Sequence, residues 1–334
     1  MKVLSLFDGV SCARLAIERI GIPIETYYAS EIDKYAIKVT QSNRPDTIQL
    51  GSVTDVTGIA DIDLLIGGSP CQDLSVAGKT RKGLDGERSG LFWEYVRIFN
   101  ETNPMYFLLE NVASMTKEAK QVITDTLGVM PIMINAALVS GQSRKRFFWT
   151  NIMDVTQPED RGILLRDILE PKVDESYFVK PESNTVRSSG RSSGIDDRHN
   201  WDTIRIGTIN KGGLGDRIYS TDGKSVGLKA LGGGRGAKTG LYAVPVALRN
   251  RGQGKQPEYN GTDKANSLTT VQTDSMVEQD TIIRKLTPVE CERLQGMPDN
   301  WTNPTGDISN AQRYKMCGNA FNVDVVAHIL SFIS

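Results

Sequence analysis

Histidine and cysteine are scarce in this chain of 334 residues: only His199 and His328 of the one, and Cys12, Cys71, Cys291 and Cys317 of the other. No two cysteines form a C-x-x-C pair, and two distant histidines cannot complete a zinc cluster, so neither a structural metal nor a disulfide framework is expected. Ser-His and Cys-His hydrolysis fall for the same reason, because neither histidine stands beside a nucleophile signature. A run of about eighteen apolar residues, the length that crosses a bilayer, is also missing. The opening MKVLSLFDGV lacks the apolar stretch and cleavage site of a secretory signal, so a cytosolic protein without a membrane span is expected.

Net charge is nearly absent as well, at −1, which by itself announces no nucleic-acid binder. The charge is unevenly placed, however. Between Lys180 and Lys255 there are fourteen Lys and Arg against six Asp and Glu, so a basic segment is set into an acidic body. That is the pattern expected of a part that meets phosphates.

The first half alternates strand and helix signals. VLSLF, TYYASEI, IDLLIGG and YFLLENV read as strands; ARLAIERIG, DKYAIKVTQSN, GLFWEYVRIFNE and KEAKQVITDTLG read as helices; MINAALV and RFFWTNI read as late strands. This repetition predicts an α/β fold, an open and mostly parallel sheet with helices on both faces. Ligands of such sheets sit beyond the carboxyl ends of the strands, where FDG, SEI, SPC and ENV fall. Residues 181–280, rich in Gly, Ser, Thr and Asn, carry short alternating stretches such as DTIRIGTI and NSLTTVQ and predict a smaller, mainly β domain. A faint echo pairs STDGKSVGLKA with GTDKANSLTTV. From Arg284 the pattern is compact again, with a Thr-capped, Pro-started helix in LTPVECERLQGMP and a closing helix in AFNVDVVAHILSFI. The expected division is 1–155, 156–283 and 284–334, the last segment returning to the first.

Cys71 lies in GGSPCQDLS, past the apolar run IDLLI and in a polar, glycine-flanked bend. A structural thiol would sit inside the run; one placed beyond it can meet a substrate. LFDGVSCA alone is a weak nucleotide-loop signal, since Ser11 stands where a second glycine of G-x-G-x-x-G would be. An ordered set follows it: ASEIDKYAI, GGSPCQDLS, LLENVASM, SGQSRKRFFW, KLTPVECERLQGMP and MCGNAF. Together these motifs resemble the DNA cytosine-5 methyltransferase family, its bacterial and phage members especially, over Met1 to about Asn151 and Arg284 to Ser334. GLFWEYVRI and RFFWTN also look like the catalytic region of the animal de novo DNA methyltransferases.

The resemblance implies a Rossmann-like fold that binds S-adenosylmethionine and needs no metal, with a target-recognition domain in the middle. It implies that Cys71 adds to carbon 6 of cytosine, that Glu110 stabilises the ring, and that Arg144 and Arg146 offer planar donors to base and phosphate. Phe7, Asp8 and Gly9 would surround the methionine part of the cofactor, Glu31 the ribose, Ile32 the adenine, and Asn319 would close the site. Ser52 stands where the family has an acidic adenine contact, so its hydroxyl or the backbone of Val53 is expected to substitute. The base must leave the duplex to be reached. Lys79, Arg81, Lys82 and Arg88, in the glycine-bearing stretch after Cys71, would close over the strand and touch phosphates. The implied partner is double-stranded DNA, contacted by a monomer, with a cognate restriction endonuclease as a further partner and a bacterial or phage gene as the source. Two alternatives are a transfer RNA cytosine-5 methyltransferase and a silent DNA-binding relative; the long basic segment counts against the first, and retention of the thiol, acid and arginines against the second. A zinc deaminase fails for want of H-x-E and P-C-x-x-C.

Overall fold

The computed structural model describes residues 1–70, 90–178, 203, 205–208, 217–228, 241–250, 255–258 and 279–333. Cys71, Lys79, Arg81, Lys82, Arg88, His199, the stretch NSLTTVQ and the second half of the internal echo lie outside the described residues.

Strand β1 (Lys2–Leu6) is enclosed at four of its five positions, which is why its sequence is an apolar run and not an alternation. It pairs in parallel with β2 (Thr26–Ser30) on one side and β4 (Leu64–Gly67) on the other. Outside β2 lies the short β3 (Ile48–Gln49); beyond β4 come β5 (Tyr106–Val112), β7 (Lys145–Thr150) and the edge strand β6 (Ile132–Asn135). The order is therefore β3-β2-β1-β4-β5-β7-β6, with β7 antiparallel to both its neighbours. Chain direction across the sheet reverses between β1 and β4, the place where an open α/β sheet forms its ligand crevice.

Helices cover both faces. Residues of α1 (Cys12–Arg19), α2 (Lys34–Asn43) and α7 (Val323–Leu330) build one core with Val3, Leu64, Ile66 and Leu108. Those of α3 (Leu91–Thr102) and α4 (Lys117–Leu127) build the other with Leu4, Leu6, Leu65 and Leu109. Alternate residues of each strand thus feed opposite layers. Local signals set the helix ends: Gly21 takes φ +75° after α1, Asp33 accepts from the Tyr35 N–H at the start of α2, and Thr116 accepts from the Ala119 N–H at the start of α4. In α5 (Pro288–Leu294) Thr287 and Glu290 form a reciprocal capping box ahead of Pro288.

Two elements differ from the sequence expectation. MINAALV is not one strand: β6 ends at Asn135 and Ala136–Leu138 form a 3-10 turn. The Asn135 carboxamide oxygen accepts from the N–H groups of Ala137 and Arg144, which turns the chain out of the sheet. The motif MCGNAF, read without a secondary structure, spans the end of a separate helix, α6 (Asn310–Asn319), capped by Ser309.

A second sheet joins β8 (Arg205–Thr208), β9 (Arg217–Ser220), β10 (Leu241–Asn250) and β11 (Lys255–Glu258), with β12 (Gln279–Arg284) also paired to β10. Among the described strands of this sheet only β9 and β10 run parallel. Its side chains Tyr219, Tyr242 and Val244 pack with Leu286, Cys291, Leu294 and Cys317 of the C-terminal segment. At its base Arg284, fully enclosed, pairs with Glu290 at 2.6 Å, and Glu290 also accepts from the Thr287 and Glu170 N–H groups.

Candidate active site

The strand ends at the crevice carry the residues singled out from sequence. After β1 the chain makes a tight turn in which Phe7, Gly9 and Ser11 have φ of 57°, 62° and 57°. The Gly9 N–H donates to Glu31 Oε2 at 2.8 Å, and Glu31 Oε1 accepts from the N–H groups of Ile32 and Asp33. Glu31, just past β2, is thereby held rigidly beside the turn. Ile32 next to it is 77 % exposed, an apolar side chain displayed at the mouth of the crevice. A Cβ at Gly9 would meet nothing within 4 Å, so the turn opens on free space. A carboxylate fixed by backbone donors, an exposed isoleucine and an open glycine turn fit a nucleoside-bearing cofactor.

Asp8 is turned the other way. It is 5 % exposed, and its carboxylate accepts from Tyr27 Oη at 2.7 Å and from Ser11 Oγ. Burial raises its pKa, with the hydrogen bonds from Ser11, Ser5 and Tyr27 opposing. Ser52 caps a 3-10 turn, Val53–Asp55, its Oγ accepting from the Thr54 N–H at 3.3 Å. Val53 buries its side chain, and its carbonyl accepts from Arg97 Nη2 at 3.1 Å. Asn319 ends α6 exposed.

On the far side of β4 the polar groups differ in kind. Glu110, near the end of β5, pairs with Nε of Arg146 on β7 at 2.7 Å. Arg144 is buried at 6 % exposure; its Nη1 donates to the Leu228 carbonyl and its Nη2 to those of Gly318 and Ala320, which flank Asn319. Glu110, Arg144 and Arg146 line one small recess with Ile134, Phe148 and Phe321. The two arginines so share a face, with different duties: Arg146 faces the acid, while Arg144 ties three chain segments together.

Between these two groups lies the approach to Cys71. The buried Asn111 donates from Nδ2 to the Ser69 carbonyl and Oγ at 3.3 and 3.2 Å, and its Oδ1 accepts from the Val112 N–H at 2.8 Å. Gly68 leaves room for its neighbours: a Cβ there would lie 2.7 Å from the Phe321 ring and 3.2 Å from Glu110 Oε2. The three described cysteines, Cys12, Cys291 and Cys317, are buried, and burial pushes each thiol well above its ordinary range.

The segment 221–228 docks on the loop that carries Arg144. Ser225 donates to the Gly141 carbonyl at 2.7 Å and accepts from the Ser143 N–H at 2.9 Å. Lys224, fully enclosed, donates to the carbonyls of Ser140 and Ile163, and burial lowers its pKa. Sequence reading missed Phe321, Tyr27 and Lys224 as parts of the site. Only the Gly67-Gly68 pair hinted at close packing there; nothing in periodicity marks a buried lysine.

A switch-point crevice with a fixed acid and an exposed apolar residue on one side, and a second acid paired with arginine on the other, defines a Rossmann-like methyltransferase. The chain belongs to the C-5 cytosine-specific DNA methylase family, whose profile matches residues 1–334, and is a DNA cytosine-5 methyltransferase. It is 29 % identical over 350 residues to the type II methyltransferase M.HhaI of Haemophilus parahaemolyticus, covering 98 % of this chain and 93 % of that one. It is 27 % identical over 428 residues to the orphan methyltransferase M.SPRI of Bacillus phage SPR, covering 98 % and 96 %. In fold it matches the Entamoeba histolytica methyltransferase EhMeth with a TM-score of 0.67 at 15 % identity, over 99 % of this chain and 97 % of that one. It also matches the S. pombe Dnmt2 methyltransferase with a TM-score of 0.63 at 19 % identity, over 99 % and 97 %. Among the described residues no helix is long and apolar enough to cross a membrane.

Proposed function

We propose that the chain methylates carbon 5 of a cytosine flipped out of duplex DNA, at a specific sequence, through a transient bond between Cys71 and carbon 6 of the base. The observation that carries this reading is the arrangement around the switch point: the Gly9-Glu31 turn at the ends of β1 and β2, the Glu110-Arg146 pair at the end of β5, and Ser69-Pro70 leading to Cys71 between them. With the three described thiols buried and hard to ionise, Cys71 is the remaining nucleophile candidate.

Phe7, Gly9, Glu31 and Ile32 would hold S-adenosylmethionine, with Ser52, Val53 and Asn319 at its margins. When bound, it supplies a methyl group made electrophilic by a sulfonium. Carbon 5 of cytosine is a weak nucleophile, so the Cys71 thiolate adds to carbon 6 and moves electron density onto carbon 5. Glu110, as the carboxylic acid, holds the pyrimidine edge at ring nitrogen 3 and gives its proton there as negative charge develops on the ring. Arg146 orients that carboxyl through their 2.7 Å pair. After carbon 5 is methylated, loss of its proton and expulsion of the thiolate restore the aromatic ring. Lys79, Arg81, Lys82 and Arg88 would grip the strand, and the second sheet with its basic surroundings would read the duplex.

The test is methyl transfer from labelled cofactor to duplex DNA and to transfer RNA, by the native chain and by Cys71→Ala. Incorporation into DNA by the native chain alone is expected, together with a covalent complex on 5-fluorocytosine DNA at the peptide containing Cys71. Equal incorporation by Cys71→Ala, or preference for transfer RNA, overturns the reading.

A further inference from the structure

Ser11 occupies a backbone conformation that glycine takes freely and other residues take at a cost, φ 57° and ψ 41°. Its hydroxyl is engaged twice, donating to Asp8 Oδ2 and lying 3.1 Å from Thr40 Oγ1. Asp8 in turn receives the Tyr27 hydroxyl from β2, and its own N–H donates to the Ser30 carbonyl at the end of that strand. The Ser11 N–H closes the turn on the Asp8 carbonyl at 3.2 Å. Within this turn sits Gly9, whose N–H reaches Glu31. A carboxylate buried at the centre of the turn therefore joins β1, β2 and the start of α1.

We propose that Asp8 is a positioning residue for cofactor binding: its buried carboxylate grips Ser11 and Tyr27 and so holds the left-handed turn that keeps Gly9 and Glu31 in register. The side chain does for this chain what a second glycine would do by conformational freedom alone. Asp8 need not touch the cofactor, and the inference rests on the reading that S-adenosylmethionine occupies the crevice beside Gly9 and Glu31.

A non-glycine residue in the left-handed region costs roughly 1–2 kcal/mol, about a tenfold change in equilibrium, so releasing Ser11 should weaken cofactor binding by about that factor. In the full chain, Asp8→Ala is expected to raise KM for S-adenosylmethionine about tenfold. The dissociation constant of S-adenosylhomocysteine, measured by calorimetry without DNA, should follow it, while KM for DNA changes much less. Adding Ser11→Gly to Asp8→Ala should recover most of the loss, because glycine needs no grip. Tyr27→Phe, which removes one donor and leaves the carboxylate in place, should show a smaller loss of the same kind and keeps the test open if Asp8→Ala does not fold. Unchanged cofactor affinity in Asp8→Ala, or no recovery on adding Ser11→Gly to a folded Asp8→Ala chain, overturns the proposal. If the native chain itself binds no S-adenosylhomocysteine, the functional reading beneath it fails instead.

Discussion

Replacing Asn111 with alanine tests whether the backbone before Cys71 is held for chemistry or only for stability. The Asn111 side chain, 1 % exposed, makes three hydrogen bonds: two to Ser69 and one from the Val112 N–H. The two Ser69 contacts, at 3.3 and 3.2 Å, are long, and each contributes about 0.5–1 kcal/mol net. The Val112 N–H, left without its acceptor, adds about 1–2 kcal/mol, so Asn111→Ala should lose roughly 2–4 kcal/mol of unfolding free energy. Ser69 stands two residues from Cys71, and a misplacement of about 1 Å at a reacting group can cost about a hundredfold in rate. Single-turnover methyl transfer should therefore fall by about that factor under conditions where urea titration shows the variant folded. Asn111→Asp keeps the acceptor for Val112 but sets a carboxylate against the Ser69 carbonyl, so its rate should fall at least as far. A single-turnover rate within about threefold of native, with the unfolding midpoint lowered as expected, would refute the link between Asn111 and catalysis.

Other perturbations follow from the same geometry. Gly68→Ala forces the Phe321 ring away from position 68 and should cost about 1–3 kcal/mol by overpacking; Phe321→Val in the same chain should restore part of the stability, read by thermal unfolding. Arg284→Met strands Glu290 in the interior and should lower unfolding free energy by about 3–5 kcal/mol in urea titration, whereas Lys38→Met, which breaks the exposed pair with Asp307, should leave the midpoint nearly unchanged. Asp8→Asn should remove the pH dependence that the buried carboxyl gives the fold, while taking one acceptor from Ser11 or Tyr27. The folded pKa of Asp8 is raised by burial, so the native state carries no ionisation cost below the unfolded value of 3.8 and bears it once pH rises through the folded value. Melting curves at about pH 8 and about pH 4 should show the native chain gaining on the variant toward acid; a difference that stays constant down to the unfolded value would contradict the raised pKa.

Much of the fold was legible because local signals and the tertiary outcome agree. VLSLF and IDLLI are apolar without alternation because β1 and β4 are covered on both faces, and Thr287-Pro288 marked the start of α5. MINAALV misled because an apolar run does not show where a carboxamide will bend the chain; Asn135 does so by meeting the Arg144 N–H across the next turn. α6 was missed because its buried positions, Arg313, Met316, Cys317 and Gly318, include an arginine and a glycine that break any apolar stripe.

The amino-acid order alone determined the chemistry on offer: a thiol after a proline, an acid in ENV and paired arginines. Which partner each group finds was decided only by the tertiary structure. Asp8 and Glu31 are both carboxylates beside the same crevice, yet one is sunk beneath Tyr27 and Ser11 and the other is held at the surface by backbone donors. Arg144 and Arg146 stand two residues apart, yet one binds three carbonyls in two distant segments and the other faces Glu110. The reason is that hydrogen-bond direction and burial depend on neighbours brought from far along the chain, Leu228, Gly318 and Ala320 among them, and no local pattern encodes that distance.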